Sequence, residues 1–290
     1  MDAAWDDIRT ILMLVRHGSL AGAANALGVN YTTVARRVRR AEDTLNRPLF
    51  ERHPEGYHPN DAAHLIAEHA GRMEDAEHDM MRRLQGIETG LSGTLTITAP
   101  LQLISNFLPP FIDQFTRDHP QIDLRILASA ELLDLSRREA DLAIRFSQNP
   151  GDTLKGLRLI RQETASFANS DWAARIASDR STLIEWIVYR DFPNVPKDVS
   201  PDFPNNRVRL VFDDMVAIAG AAQAGLGVVR MPLFLGRTTT GLEQVPPLPP
   251  QPYRDIWVVG HPDVWKSAKV RAFLDPLVAY CKARRDLFVS

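Results

Sequence analysis

Four arginines stand within five consecutive residues of this sequence, at positions 36, 37, 39 and 40. Guanidinium groups bind phosphate oxygens through paired hydrogen bonds, so this density of arginine predicts contact with a polyanion. Hydroxyl side chains, which can bond to the edges of bases, come directly before the arginines, at Tyr31, Thr32 and Thr33. The alternative is an ordinary solvated helix face, because charge alone does not identify a binding site.

The charge of the whole chain restricts where a polyanion can bind. The 290 residues carry a net charge of −2, so the molecule as a whole is not basic. Any attraction to phosphate must come from a local patch of residues. The stretch between Asn30 and Asn60 holds six arginines. This stretch is therefore the candidate patch.

Residue patterns for catalysis are absent from the sequence. The segment GLSGT is not a nucleophile elbow, because its second glycine comes one position early. The segment GLGVVR lacks the third glycine of a dinucleotide-binding loop. Asp141 and the pair Asp213 and Asp214 could be paired carboxylates, but helix capping and solvation explain such residues far more often. We therefore predict that the protein is not an enzyme and needs no cofactor.

Cysteine and histidine usage argues against a metal site. Cys281 is the single cysteine, which excludes a disulfide within the chain and a four-thiolate zinc site. His64, His69 and His78 are not spaced four residues apart, as a chelating pair on one helix would be. We predict no metal. The sequence also shows no basic leader before an apolar run and no apolar run of about 18 residues, which predicts a cytoplasmic protein outside the membrane.

The elements around the arginines are predicted to be three short helices. Residues 6–16 follow a helical apolar spacing that ends at Gly18, Ser19 is a preferred helix cap, and Gly28 suits the left-handed residue that ends a helix. Residues 31–45 form the third helix, with its apolar stripe on one side and the arginines on the other. Two helices joined by a short turn containing glycine are typical of a helix-turn-helix unit, whose second helix reads DNA.

A hairpin and a long helix are predicted next. The segment RPLFERHPEGYHPN has a turn between two short extended runs and is interpreted as a wing, the alternative being an ordinary surface hairpin. Residues 61–87 contain no proline and follow alternating three- and four-residue apolar steps, which predicts one helix. Its apolar seam favours pairing with the same helix of a second subunit. Packing on the N-terminal domain is the competing explanation. The members of the seam are Ala62, Ile66, His69, Met73, Ala76, Met80, Leu84 and Ile87.

The rest of the chain reads as alternating strands and helices. Strands at residues 95–99, 122–127 and 142–145 alternate with helices at 104–118 and 131–138, which favours parallel strands flanked by helices. A second such unit follows at residues 208–231, and a strand at 256–260 and a helix at 266–284 come last. We predict two α/β lobes, lobe one at about residues 91–165 and 261–290 and lobe two at about 166–260.

A ligand cleft is expected beyond the carboxyl ends of the strands, where helices begin. Helix capping is the plainer explanation for several of these positions, Ser129, Asp213 and Asp214 above all. The candidate cleft residues are Ala99, Pro100, Leu101, Gln102, Ser129, Ala130, Phe146, Ser147, Asp213 and Asp214.

Over essentially its full length the chain resembles the LysR-type transcriptional regulators. The segments that carry the resemblance are SLAGAANALGVNYTTVARRVRRAEDTLNRPLFER, FLPPFIDQFTRDHPQIDLRI, ELLDLSRREADLAIR and AQAGLGVVRMP. The resemblance implies an all-α winged helix-turn-helix domain at residues 1–60, a long linker and dimerisation helix at 61–90, and an α/β effector domain at 91–290. This domain would have two lobes like a periplasmic binding protein. Double-stranded promoter DNA, a small-molecule effector, further copies of the chain in a dimer or tetramer, and RNA polymerase are the implied partners.

The resemblance also assigns residues to the DNA. The bases would be read by Asn30, Tyr31, Thr32, Thr33 and Arg36, and the phosphates would be bound by Arg37, Arg40 and Arg52. Tyr31 and Ala35 depart from the glutamine or histidine and the serine that are commonest in the family, which leaves the bases read undetermined. Pro100, Leu101 and Gln102 stand where many relatives present a hydroxyl to an acidic effector.

Two hypotheses of different classes follow from the sequence. The first is a ligand-responsive DNA-binding regulator. The second is a cytoplasmic binding protein or enzyme whose N-terminal helices only dimerise it. The arginine-flanked third helix and the wing favour the regulator.

Overall fold

The computed structural model describes residues 4–53, 56–87, 90–128, 140–147 and 154–290. The chain divides into two compact units, residues 1–81 and 82–290. Among the described residues no helix is both long enough and apolar enough to cross a membrane.

The first unit begins with three helices, as predicted. They are α1 (Trp5–His17), α2 (Leu20–Leu27) and α3 (Tyr31–Leu45). Gly18 and Gly28 end α1 and α2 with φ angles of 65°, the left-handed conformation that glycine adopts without a steric penalty. The Ser19 hydroxyl accepts a hydrogen bond from the Gly22 amide at 3.1 Å, which caps α2. The small residues Ala23 and Ala24 are buried, so the helices pack closely.

A two-stranded hairpin follows the helices and confirms the predicted wing geometry. Strands β1 (Phe50–His53) and β2 (Gly56–Pro59) pair antiparallel. The hairpin is docked on the turn between α1 and α2, because the Tyr57 amide donates to the Gly18 carbonyl at 3.2 Å. A Cβ atom on Gly56 would lie 2.8 Å from that carbonyl oxygen, so only glycine allows this approach.

Helix α4 (Asp61–Ile87) has the length that the sequence predicted. The Asn60 side chain accepts a hydrogen bond from the Ala63 amide at 3.0 Å and so caps its first turn. One face of α4 packs on the three-helix core through Ala63, Ala67 and Ala70, which are buried. Within the predicted seam, Ala62 and Ile66 also pack there, whereas Met73, Met80 and Leu84 are exposed. Packing on the N-terminal domain therefore explains only the beginning of the seam.

Lobe one is built on a five-stranded sheet. Its strands, in the order β4, β3, β5, β13 and β6, cover Ile122–Ala128, Gly93–Ala99, Leu142–Ser147, Asp255–Gly260 and Lys155–Ile160. Strands β3, β4 and β5 are parallel as predicted, and β13 runs antiparallel to β5 and β6. The predicted helix at residues 104–118 is in fact two helices, α5 (Leu101–Asn106) and α6 (Pro109–Asp118), because proline at the start of α6 cannot continue α5. The predicted helix at 131–138 lies outside the described residues.

Lobe two has a six-stranded sheet. The strands of its main path are β11 (Glu243–Val245), β7 (Glu163–Ala168), β10 (Val228–Pro232), β8 (Ile184–Tyr189) and β9 (Asn206–Phe212), and β12 (Gln251–Pro252) pairs with β7. Helices α7 (Ser170–Ser178), α8 (Met215–Gln223) and α9 (Leu233–Thr238) accompany it. Strands β8, β9 and β10 are parallel, as the predicted unit at residues 208–231 requires.

The predicted end of lobe two needs correction. We placed residues 166–260 in lobe two, but strand β13 pairs along its whole length with β5 of lobe one. The chain therefore returns to lobe one before Asp255. Two short segments connect the lobes, and Gln162 in the first segment forms hydrogen bonds to the second. Its carbonyl accepts from the Tyr253 amide at 2.9 Å, and its side-chain amide donates to the Arg254 carbonyl at 2.5 Å.

Candidate DNA-reading and effector-binding sites

The N-terminal end of α3 is accessible to solvent. Tyr31 is 62% exposed, Thr32 is exposed and Thr33 is half-buried. Asn30 occupies the cap position of α3, and among the described residues its side chain makes no capping hydrogen bond. Polar side chains at this end of a recognition helix are the ones that contact base edges in the major groove. The structure thus brings four of the predicted base-reading residues to one end of α3.

The four arginines of α3 fall into two pairs. Arg36 and Arg39 are exposed, and within the described ranges neither forms an ion pair. Arg37 instead binds Asp6 at 2.6 Å. Arg40 donates two hydrogen bonds to Asp7, at 2.7 and 2.5 Å. The hydrogen bonds and the charge of Asp7 raise the pKa of Arg40.

This pairing changes the interpretation of Arg37 and Arg40. We expected both arginines to face phosphates, but their guanidinium groups are already held by carboxylates of α1. A held guanidinium has fewer donors left for phosphate. Arg36, which we predict to read bases, lies in the same helix and is exposed. Its guanidinium group is therefore more available to DNA than those of Arg37 and Arg40. The phosphate contacts of Arg37 and Arg40 remain a prediction.

The wing carries the remaining predicted DNA contact. Arg52 lies in β1, opposite Tyr57, but its side chain lies outside the described part of the chain. Phe50 and Tyr57, one on each strand of the hairpin, pack on the three-helix core, and their rings meet edge to face at 6.1 Å between centroids. The rings of His53 and His58 meet at 4.8 Å. The described part of the wing thus forms a polar edge beside the helix-turn-helix unit.

A charged contact between α1 and α4 was not predicted. Glu74 of α4 is only 3% exposed, yet it binds Arg16 at 2.7 Å and Arg9 at 3.7 Å. The Trp5 indole also donates to Glu77 at 3.1 Å. The available sequence signal was a glutamate that continues the alanine face of α4 at helical spacing, a position where a carboxylate requires a partner.

The described members of the predicted effector site lie at the ends of strands and the starts of helices. Ala99 and Pro100 are buried, and Leu101 and Gln102 form the first turn of α5. Helix α5 contacts α8 and α9 of lobe two. The first turn of α5 and the start of α8, next to Asp214, therefore belong to neighbouring helices of different lobes, which is where a cleft between lobes would lie.

The two aspartates of lobe two have structural partners. Asp214 caps α8, because its carboxylate accepts from the Ala217 amide at 2.8 Å. Asp213 is exposed and accepts a hydrogen bond from Arg190 at 3.4 Å. The capping explanation given for Asp214 is confirmed. Both residues still border the start of α8 and remain candidates for contact with an effector.

Of the predicted cleft residues at the ends of β4 and β5, only those of β5 are described. Phe146 and Ser147 end β5 and are half-buried, whereas Ser129 and Ala130 lie outside the described residues. Arg145, which precedes Phe146, is not among the site residues predicted from the sequence. Burial lowers the pKa of its guanidinium, which marks an incompletely hydrated cation at this end of the sheet. Within the described ranges no group of three or more potential metal ligands occurs.

Comparison with protein families covers both units of the chain. The family model described as the LysR substrate binding domain matches residues 88–282. The model described as a bacterial regulatory helix-turn-helix protein of the lysR family matches residues 5–64. The two matches together include the helix-turn-helix unit, the wing and most of both lobes.

Individual proteins align over most of their length. The Mau operon transcriptional activator of Paracoccus denitrificans is 27% identical over 266 residues, which are 89% of each chain. The transcriptional activator AmpR of Rhodobacter capsulatus is 28% identical over 250 residues, 81% of each chain. Among solved structures, the Vibrio cholerae virulence activator AphB superimposes with a TM-score of 0.64 at 20% identity, covering 96% of this chain and 99% of its own. These matches show a shared fold along the whole chain.

Proposed function

The chain belongs to the LysR family of transcriptional regulators, DNA-binding proteins with an effector-binding domain, and we propose which of its residues carry out each task. Helix α3 enters the major groove of promoter DNA with Asn30, Tyr31, Thr32 and Thr33 towards the bases. Arg36 lies beside them, and Arg52 binds phosphate from the wing. The observation that supports this assignment best is the exposure of Tyr31, a large side chain that contributes little to the core.

A second copy of the chain completes the DNA-binding form. The exposed stripe of Met73, Met80 and Leu84 follows one side of α4, and on helix geometry it lies about a quarter-turn from the buried alanine face. A large apolar stripe on a helix is stabilised by a partner helix. We assign this stripe to the contact between two copies, in a dimer or in a tetramer. Two reading heads related by twofold symmetry then match a palindromic operator.

The effector is assigned to the cleft between the lobes. The supporting observation is the adjacency of α5, which begins at Leu101 and Gln102, to α8, which begins after Asp214. A ligand held by both helices would favour one relative orientation of the lobes. That change passes through α4 to the spacing of the reading heads and the bend of the DNA. In this role the protein works in the cytoplasm and acts on RNA polymerase at the promoter.

The function is tested by DNA binding of the purified full chain. Fluorescence anisotropy is measured on the promoter region beside its own gene, with random duplex as competitor and with salt varied. Specific binding survives excess random duplex and weakens as salt increases, because phosphate contacts release counterions. Binding no stronger than to random duplex, with and without cell metabolites, would contradict the assignment of α3 and the wing. The N-terminal helices would then serve dimerisation only.

A further inference from the structure

Helix α1 lies between the DNA-reading helix and the linker helix and is joined to each by charged side chains. On one side, Asp6 and Asp7 bind Arg37 and Arg40 of α3. On the other side, Arg9 and Arg16, which are seven residues apart and therefore on one face of α1, bind a single carboxylate of α4. That carboxylate is Glu74. The proposed DNA contacts use neither Asp7 nor Glu74.

Both carboxylates are buried. Asp7 is 2% exposed and Glu74 is 3% exposed. Acidic side chains are almost never buried this far unless they are paired, because an unpaired charge in the interior is strongly destabilising. Each pair is therefore satisfied only when the two helices keep one relative position. Ordinary apolar packing, such as that of Ala67 and Ala70, tolerates small rotations more easily.

We propose that Glu74 and Asp7 are positioning residues for DNA recognition. Glu74 holds α1, and with it the whole reading head, at one angle on the linker helix. Asp7 holds α3 at one angle on α1 through Arg40. We call these two ion-paired contacts the Glu74 joint and the Asp7 joint. Together they connect the linker helix, through α1, to the base-reading end of α3. The inference rests on the proposed reading of DNA by α3 and on the dimer formed through α4.

The two joints have different consequences for binding. A loosened Glu74 joint leaves each head intact but lets the two heads of a dimer vary in spacing. The affinity for a complete operator should then fall, while the affinity for half an operator is retained. A loosened Asp7 joint changes α3 itself and should weaken binding to both. Loss of folding would weaken binding to both duplexes in the Glu74 variant as well, so half-site binding retained by that variant separates a loosened joint from an unfolded head.

The experiment compares two duplexes. A duplex selected by the full wild-type chain from a random-sequence pool serves as the complete site, and one half of it, with the other half scrambled, serves as the half-site. For Glu74→Gln we expect a fall of about tenfold in affinity for the complete site, the size of one lost charge-assisted hydrogen bond, and less than about twofold for the half-site. For Asp7→Asn we expect a fall of about tenfold on both. Glu68→Gln, on the exposed side of α4, is the matched control.

A second measurement does not depend on DNA. Spin labels are placed on exposed residues of α3 and α4 through Arg39→Cys and Asp75→Cys, with Cys281 buried and so protected from the label. Glu74→Gln should broaden the distribution of distances between the labels, and Glu68→Gln should not. For Glu74→Gln, an unchanged distribution, or equal losses of affinity on the two duplexes, would overturn the positioning role, and for Asp7→Asn an unchanged affinity would. If the wild-type chain selects no duplex, the proposed DNA reading fails, and the distances still decide whether Glu74 orients the head.

Discussion

The ring of Phe288 meets the ring of Phe107 edge to face, with 4.8 Å between their centroids. Phe107 follows α5 in lobe one. Phe288 also stacks on Phe234 of α9 in lobe two at 4.9 Å, and the rings of Phe107 and Phe234 meet each other at 6.4 Å. Phe288 is fully buried in this cluster of three rings. One side chain near the end of the chain therefore joins both lobes of the effector domain.

Hydrogen bonds hold the same segment in place. Arg237 of lobe two donates to the carbonyls of Asp286 and Val289, at 2.5 and 2.8 Å. Glu163, at the start of β7 beside the connection between the lobes, donates its amide to the Phe288 carbonyl at 2.8 Å. The backbone of this segment is thus bound to lobe two, and its aromatic side chain reaches lobe one. We expect it to limit the relative motion of the lobes.

Phe288→Ala should destabilise the effector domain by about 3–5 kcal/mol, the usual cost of truncating a buried phenylalanine. It should also broaden the distances between spin labels on lobe one and lobe two, introduced through Thr116→Cys and Lys197→Cys, which are exposed. Denaturant unfolding and pulsed electron resonance measure the two effects. Phe288→Leu, which keeps an apolar contact, should cost less than about 1.5 kcal/mol and leave the distances nearly unchanged. Equal broadening in both variants would argue against the role of the ring.

Substitutions in α3 and in the wing should separate specificity from affinity. Tyr31→Ala and Thr33→Ala should change which bases are preferred, because their side chains are assigned to base edges. Arg52→Ala should weaken binding to all duplexes alike and reduce the slope of affinity against salt by about one. Selection from random duplexes gives the preferred sequence, and anisotropy at several salt concentrations gives the slope. Identical effects of the three variants on specificity would contradict this division of roles.

The exposed stripe on α4 predicts an effect on self-association. A charge introduced by Met73→Glu or Met80→Glu should weaken the dimer at least about tenfold, because the carboxylate would be buried in an apolar contact. Sedimentation velocity over a range of protein concentrations measures this. His64→Glu adds the same charge on the opposite side of α4, at an exposed position, and should leave association unchanged. A dimer that tolerates both methionine variants would place the interface elsewhere.

Cys281 predicts how stability changes at alkaline pH. Burial raises the pKa of its thiol from 9.0 to about 12. Between these values the unfolded chain loses the proton and the folded chain keeps it, so the free energy of unfolding falls as pH rises, by at most about 1.4 kcal/mol per pH unit. Below pH 9 this contribution is constant. Urea unfolding between pH 8 and 11 should show a smaller fall for Cys281→Ala than for wild type.

The same burial predicts the chemistry of the thiol. Ellman's reagent reacts with the thiolate, which is scarce in a buried thiol at neutral pH. The folded protein should therefore react slowly at pH 8, and the protein in denaturant should react at once. Rapid reaction of the folded chain would contradict the burial of Cys281.

Much of the N-terminal unit could be predicted from the sequence, because the signals are local. Helix ends depend on caps and on left-handed glycines such as Gly18 and Gly28, and a helix face depends on residues three and four apart. These features lie within a few residues of the elements that they define. The same reasoning identified the hairpin of the wing, the full extent of α4 and the parallel strands of both lobes.

Side-chain partners were decided by the tertiary structure. Asp7 and Arg40 are 33 positions apart, and Arg16 and Glu74 are 58 positions apart, so no local pattern connects them. From the sequence, all the arginines of α3 look equally available to DNA. Folding brings α1 against α3, and two of the four arginines are then bound to carboxylates.

The path of the chain between the lobes was also decided by the fold. Strand β13 reads like any other apolar strand, and only its hydrogen bonds to β5 and β6 place it in lobe one. The sequence around Phe288 does not indicate its role either, because its two aromatic neighbours lie in different lobes and are distant from it along the chain. Local sequence determined the elements and the ends of the reading helix. Contacts between residues distant in sequence determined which charges remain available and what joins the lobes.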